Sequence, residues 1–396
     1  MSYNNSTYAY YLLEDSGYGD FLQWKESFRY YEKFLQQYLY AYFLLMGTLG
    51  NIPCALYLTK YCRTAWSVCF YHMLTMVFGL IELYIYCGNL WFLAVTGNNL
   101  TLQINILSNA VCKVYNFFIN VLIYFLSWVT VATSIETMIT VDNPQRMFKM
   151  CTLERARSIV LLIIVLVVCL NLHYFWTIGL SSPDTDPDVH ERMCHNNYQP
   201  QLSDEVSLVL PLSEFLLDNF IPFILVSTFA CISIMQLKKR RENVTFELKK
   251  YIVDVEMLSQ LRLPTIIMLS MFAILKGLQC VEHIMRFAQS QKLTYDYSNM
   301  FYLMKEIDCI QLVNFTMTYF YISFKPFLFI FMSKRLRVDI TKGIYKIFYR
   351  CDLCRKSRYK SSHISPESSQ TTTRTLMLTD KKSNGDMIPN IKCTNV

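Results

Sequence analysis

The sequence is poor in the residues that build loops and catalytic sites. Glycine and proline number 11 each in 396 residues, which excludes collagen-like and low-complexity chains. There is no glycine-rich loop to cradle a phosphate and no Gly-x-Ser-x-Gly turn to expose a nucleophile. The 6 histidines form no zinc motif of the His-Glu-x-x-His kind. An enzyme is therefore not expected, and neither a cofactor, a metal nor a nucleic-acid partner is implied. Internal repeats and paired broken helices, the marks of many transporters, are also missing. Residues 1–37 lack an early apolar region, so no cleavable signal peptide is expected and the first apolar block would direct its own insertion.

What the chain has is apolar length. Hydrophobic residues make up 53% and charged residues only 17%, and the apolar residues fall into seven blocks, about 38–59, 68–95, 108–141, 157–179, 206–237, 263–287 and 307–332. Each is long enough to cross a bilayer as a helix. The third is the reference element. From Cys112 to Thr137 a helix would run roughly 37 Å, enough for a hydrocarbon core of about 30 Å. The expected fold is an all-α bundle of seven transmembrane helices. Its domains are an extracellular segment 1–37, a seven-helix body 38–332, a membrane-surface helix 333–356 and a disordered tail 357–396. Segments 59–66, 139–158, 238–264 and 333–396 are dominated by Lys and Arg, whereas the alternate segments are mostly acidic. Positive charge gathers in the cytoplasm, so the N-terminus is expected outside and the tail inside a plasma membrane.

Individual residues add chemistry. Asn4, Asn5 and Asn99 lie in glycosylation sequons on the expected outer side, and Tyr18 sits between Asp15 and Asp20 in an acidic, disordered stretch. Glu82, Lys276 and Lys325 fall inside apolar blocks, where an unpaired charge is costly and marks function by default. Glu82 is expected to pair with Lys276 first or Lys325 second; the alternative is that each lysine snorkels or binds backbone carbonyls. Glu214, Asp218, Glu282 and Asp308 top three spans around one mouth, joined by acidic loop residues from Asp184 to Glu205. A negative cleft concentrates cations, so a basic peptide leads as the ligand. Cys351 and Cys354 follow a basic amphipathic stretch and suit palmitoylation rather than zinc, which would need two more ligands.

Several motifs occur together at matching places: Gly50-Asn51 in the first block, Cys112 and Glu136-Thr137-Met138 bounding the third, Pro222 in the fifth and Lys325-Pro326-Phe327-Leu328-Phe329 in the seventh. With these the chain resembles a rhodopsin-like G-protein-coupled receptor over all seven blocks. Ser134-Ile135-Glu136-Thr137-Met138 is similar to the family's Ser-Ile-Glu/Asp-Arg-Tyr, and Lys325-Pro326-x-x-Phe329 to its Asn-Pro-x-x-Tyr. Leu170-Asn171-Leu172-His173-Tyr174-Phe175 resembles a segment of invertebrate FMRFamide-like peptide receptors. The resemblance implies a Cys112–Cys194 bridge tying the second external loop over a pocket, the alternative being two free thiols. It implies an extracellular peptide or small-molecule ligand, and a heterotrimeric G protein or arrestin inside. The departures bear on coupling. Thr137 stands in place of the family Arg, Gly79 in place of an Asp, and Lys276 and Leu278 fall near the Trp and Pro places of the sixth span. Two functions are thus expected in competition: a coupling receptor, and a seven-helix decoy, scaffold or arrestin-biased receptor. Arg146 is a candidate substitute partner for Glu136.

Overall fold

In hydrocarbon a helix is the one open-ended element that satisfies its own backbone, and each apolar block folds as one. The computed structural model describes residues 18–62, 67–142, 150–180, 194–196, 211–243, 252–292, 297–333, 337–338 and 341–342. Seven helices are long and apolar enough to cross a membrane: Gly19–Thr59, Ser67–Thr96, Asn109–Asp142, Leu153–Thr177, Pro211–Lys239, Leu261–Gln289 and Leu303–Met332. These are the first to seventh spans. The chain divides into Met1–Lys342, which holds all seven, and Gly343–Val396, which lies outside the described residues. Also outside them are Asn4, Asn5, Arg146, Cys351, Cys354, most of the expected surface helix 333–356 and the acidic loop residues between Asp184 and Glu205.

The bundle is apolar outside and holds its buried polar side chains inside, beside apolar core clusters. On the fourth span Leu161 and Leu162 are 63% and 59% exposed, while Asn51, Asn171 and Ser134 are buried. That inversion suits a lipid solvent, since a polar side chain in a spanning helix turns inward to find a partner. The third span packs against the second, fourth, fifth and sixth. The first packs on the second and seventh, and the seventh also on the sixth. Gly50 lets the first and seventh approach closely: a Cβ there would lie 2.6 Å from the Pro326 ring and 2.8 Å from the Phe327 ring.

The first helix starts earlier than the apolar block at 38. It runs as Tyr18–Phe34, a π-helical turn Leu35–Leu39, and Tyr40–Cys62. Part of the segment expected to be disordered is therefore helical, for a reason hydropathy does not register. Phe21, Trp24 and Phe28 recur at helical spacing, with Trp24 stacked on Phe28 at 4.9 Å. Phe21 is buried, and the Lys305 ammonium of the seventh-span helix lies 5.7 Å from the Trp24 ring centre. Tertiary packing holds this helix.

Two short strands break the helical pattern. β1 (Ile178–Leu180) pairs antiparallel with β2 (Cys194–Asn196), Leu180 opposite Cys194.

Candidate functional site

One end of the bundle is tied by this ribbon. Cys112, fully buried near the start of the third span, is bridged to Cys194 with 5.9 Å between Cα atoms. Asn116 donates to Cys112 O at 2.8 Å, Lys113 donates to Phe175 O at 2.8 Å, and Asn109 Oδ1 accepts from the Leu180 amide at 3.1 Å. The strand pair is thus pinned to the third span by a covalent bond and by hydrogen bonds around it.

A cavity of ≈ 260 Å³ opens inside the bundle, lined by the second, third, fifth, sixth and seventh spans. Its most elaborate polar group is built on the fifth. Pro222 has no amide hydrogen to give the carbonyl four residues back, and its ring crowds that carbonyl. That residue is Asp218, and the turn Phe215–Phe220 widens to a π-helix, a distortion common at functional sites. The widened turn presents Asp218 and Asn219 to the cavity. Lys276 Nζ donates to Asp218 Oδ1 and Oδ2, both at 3.2 Å, and to Asn219 Oδ1 at 3.2 Å. Ser127 Oγ adds a bond to Asp218 Oδ1 at 2.9 Å. All three ammonium hydrogens therefore have acceptors.

This corrects the pairing expected of Glu82. Lys276 belongs to Asp218, which sequence position alone put at the mouth and the π-turn carries to the depth of the lysine. Lys325 follows the alternative reading: its ammonium donates to the Thr75 carbonyl at 2.8 Å and lies 5.8 Å from the Tyr321 ring centre. Gly79 lies beside it: a Cβ there would be 3.8 Å from Lys325 Nζ, an ordinary contact distance. Glu82, one turn further along the second span, lines the same cavity, half-buried, and touches no hydrogen-bond or ion-pair partner among the described residues.

Of the four acids expected at the pocket, Asp218 and Glu282 line the cavity; Glu214 and Asp308 do not. Glu214 accepts from the Tyr174 hydroxyl at 2.7 Å and lies 3.7 Å from His173 Nε2, joining the fifth span to the end of the fourth. Glu282 is held by Arg286 at 2.9 Å and by the Asn314 amide nitrogen at 2.6 Å. Asn314, Gln279 and His283 line the cavity without having been singled out in the sequence. The signal was there for Asn314, a polar residue inside an apolar block like Asn51. Asn99, the third sequon site, caps the short helix Leu100–Asn105 by accepting from the Leu102 amide at 3.1 Å.

The opposite end holds the third-span triplet. Glu136, buried, accepts a short hydrogen bond from the equally buried Ser67. Thr137 donates to its own helix at Thr133 O, 2.7 Å away, and is 2% exposed; Met138 is half-buried beside it. Asn51 donates to Gly47 O at 2.9 Å and to Ile322 O at 3.1 Å, tying the first span to the seventh next to Pro326. Phe329, fully buried, packs edge-on to His72 at 4.7 Å. His72 Nε2 is 3.0 Å from Thr265 Oγ1. That hydroxyl already donates to Leu261 O, so the imidazole is the donor.

No protein-family model matches the chain, and no curated protein matches it either.

Proposed function

We propose that the chain is a cell-surface receptor of the rhodopsin-like, G-protein-coupled kind, multi-pass in the plasma membrane with the N-terminus outside and the tail in the cytoplasm. The observation that carries this reading is the cavity shared by five spans at the depth of Asp218 and Lys276, in a bundle whose one end is strapped by the Cys112–Cys194 bridge. A ligand, peptide or small molecule, enters at the strapped end. Its contacts bias the packing of the fifth, sixth and seventh spans, and that bias reaches a heterotrimeric G protein or arrestin at the end that carries Glu136. The distribution of Lys and Arg along the connections supports this orientation.

A second reading, a seven-helix receptor that binds ligand with weak or no G-protein coupling, is favoured by the state of Thr137. Its hydroxyl is already bonded to Thr133 O, and it has neither the charge nor the reach of a guanidinium. The two readings separate in one experiment on the full chain, with G-protein and arrestin output recorded in parallel at equal surface expression. Thr137→Arg is expected to raise agonist-driven G-protein output. A wild type that already couples as strongly as the variant removes the second reading; a wild type silent in both channels under every ligand removes the first.

A further inference from the structure

Most charged groups of the cavity have a near partner, and the buried side-chain oxygens left without a donor are amide carbonyls. Lys276 has its three acceptors, and Lys325 is engaged by a carbonyl and a ring. Asp218 and Glu282 each have a cation and a neutral donor. Three lining groups with an acceptor oxygen to offer stand out. Glu82 forms no hydrogen bond or close ion pair among the described residues, though the Lys276 and Lys325 charges act on it. The side-chain carbonyl oxygens of Gln279 and Asn314 are buried without a donor. Asn314 is 2% exposed, and its amide orientation is fixed, because the nitrogen must face Glu282 and the Leu278 carbonyl. A buried acceptor left unmatched is costly, and all three groups are acceptors.

Resting on the reading of this cavity as a ligand site, we propose that it takes an organic cation bearing N–H groups, an alkylammonium or a guanidinium, on Glu82, Gln279 and Asn314. An anion would have to displace Asp218 from Lys276 or compete with the Glu82 charge that acts on Lys325. A neutral alcohol brings a single donor for three acceptor groups. A quaternary ammonium could use the rings of Tyr86, Phe315 and Tyr319, which also line the space, but it has no hydrogen to give the amide oxygens. The volume of ≈ 260 Å³ lies just below the usual range for whole drug-sized ligands, about 300–1,000 Å³. The group bound is therefore a small amine, or the tip of a basic side chain from a larger ligand whose remainder stays outside.

The test uses the purified full chain in lipid nanodiscs and reads the shift in thermal unfolding at constant ionic strength. The probes are n-butylammonium, n-butylguanidinium, choline, n-butanol and butyrate. A Lys-containing tripeptide amide separates a side-chain tip from a free amine. The two N–H cations are expected to raise the unfolding temperature saturably and the other three small probes not to. Glu82→Gln is expected to weaken the N–H cations about tenfold or more, since a charge-assisted bond is lost. Gln279→Leu, which leaves every charge in place, serves if the first variant does not fold. Choline acting as well as butylammonium, butanol or butyrate matching it, no probe shifting the protein, or a shift that survives both substitutions would each overturn the inference. Binding is read here without signalling. A chain that binds the cations yet drives neither G protein nor arrestin defeats the receptor reading alone, and one that signals to another ligand while rejecting them defeats this inference alone.

Discussion

A glycine on one helix lies beside a buried charge on another. Position 79 is within contact distance of the Lys325 ammonium, and the lysine binds a main-chain oxygen rather than a carboxylate. Gly79→Asp would put an acid beside that ammonium. It is expected to be tolerated with Lys325 present and to cost about 3–5 kcal/mol more once Lys325→Met removes the partner, because a lone buried charge is the expensive state. Equal damage in both backgrounds, read by unfolding in detergent, would show that the two positions do not meet. The same reasoning applies to Asp218, whose ion pair with Lys276 is mostly buried. Asp218→Asn is expected to lower folded yield and Lys276→Met to restore part of it, while Lys276→Met does not rescue Glu82→Gln. Rescue of the glutamate variant instead would return Lys276 to Glu82.

At the scale of elements, the sequence showed the seven helices because the solvent they meet writes them into composition: a lipid-facing helix must be apolar over about 20 residues. It did not show what depends on packing between helices. The helix from Tyr18 is polar in composition and held by aromatic contacts to its neighbours. The depth of Asp218 depends on a π-turn that Pro222 forces and that no periodicity announces. Asn314 is in sequence only a polar residue inside an apolar block, and its contact with Glu282 exists only once the sixth and seventh helices pack. The bridge was foreseen through resemblance, and the strands that carry it were not. Cys112→Ser and Cys194→Ser are expected to reduce surface delivery equally, with the double variant no worse, since either one opens the same loop. The two stand 82 positions apart in sequence, and loop-closure arguments put the loss at about 4.5 kcal/mol. Additive losses would mean that the thiols act separately.

For the whole molecule, the charge distribution predicts that an epitope tag at Met1 is bound by antibody on intact cells and one at Val396 only after permeabilisation. The reverse pattern would overturn the topology. The first helix sets a further condition on any such arrangement. Its 41 residues make a rod roughly 60 Å long, about twice the hydrocarbon thickness, so nearly half of it must stand clear of the oily layer. Trp24 on the far part is coupled to Lys305 at the head of the seventh helix, and that helix also carries Asn314 and Lys325. Trp24 in the projecting part rests on the seventh helix through Lys305, so a sideways load on its exposed tyrosines, Tyr30 and Tyr31, would pass to the helix that walls the cavity.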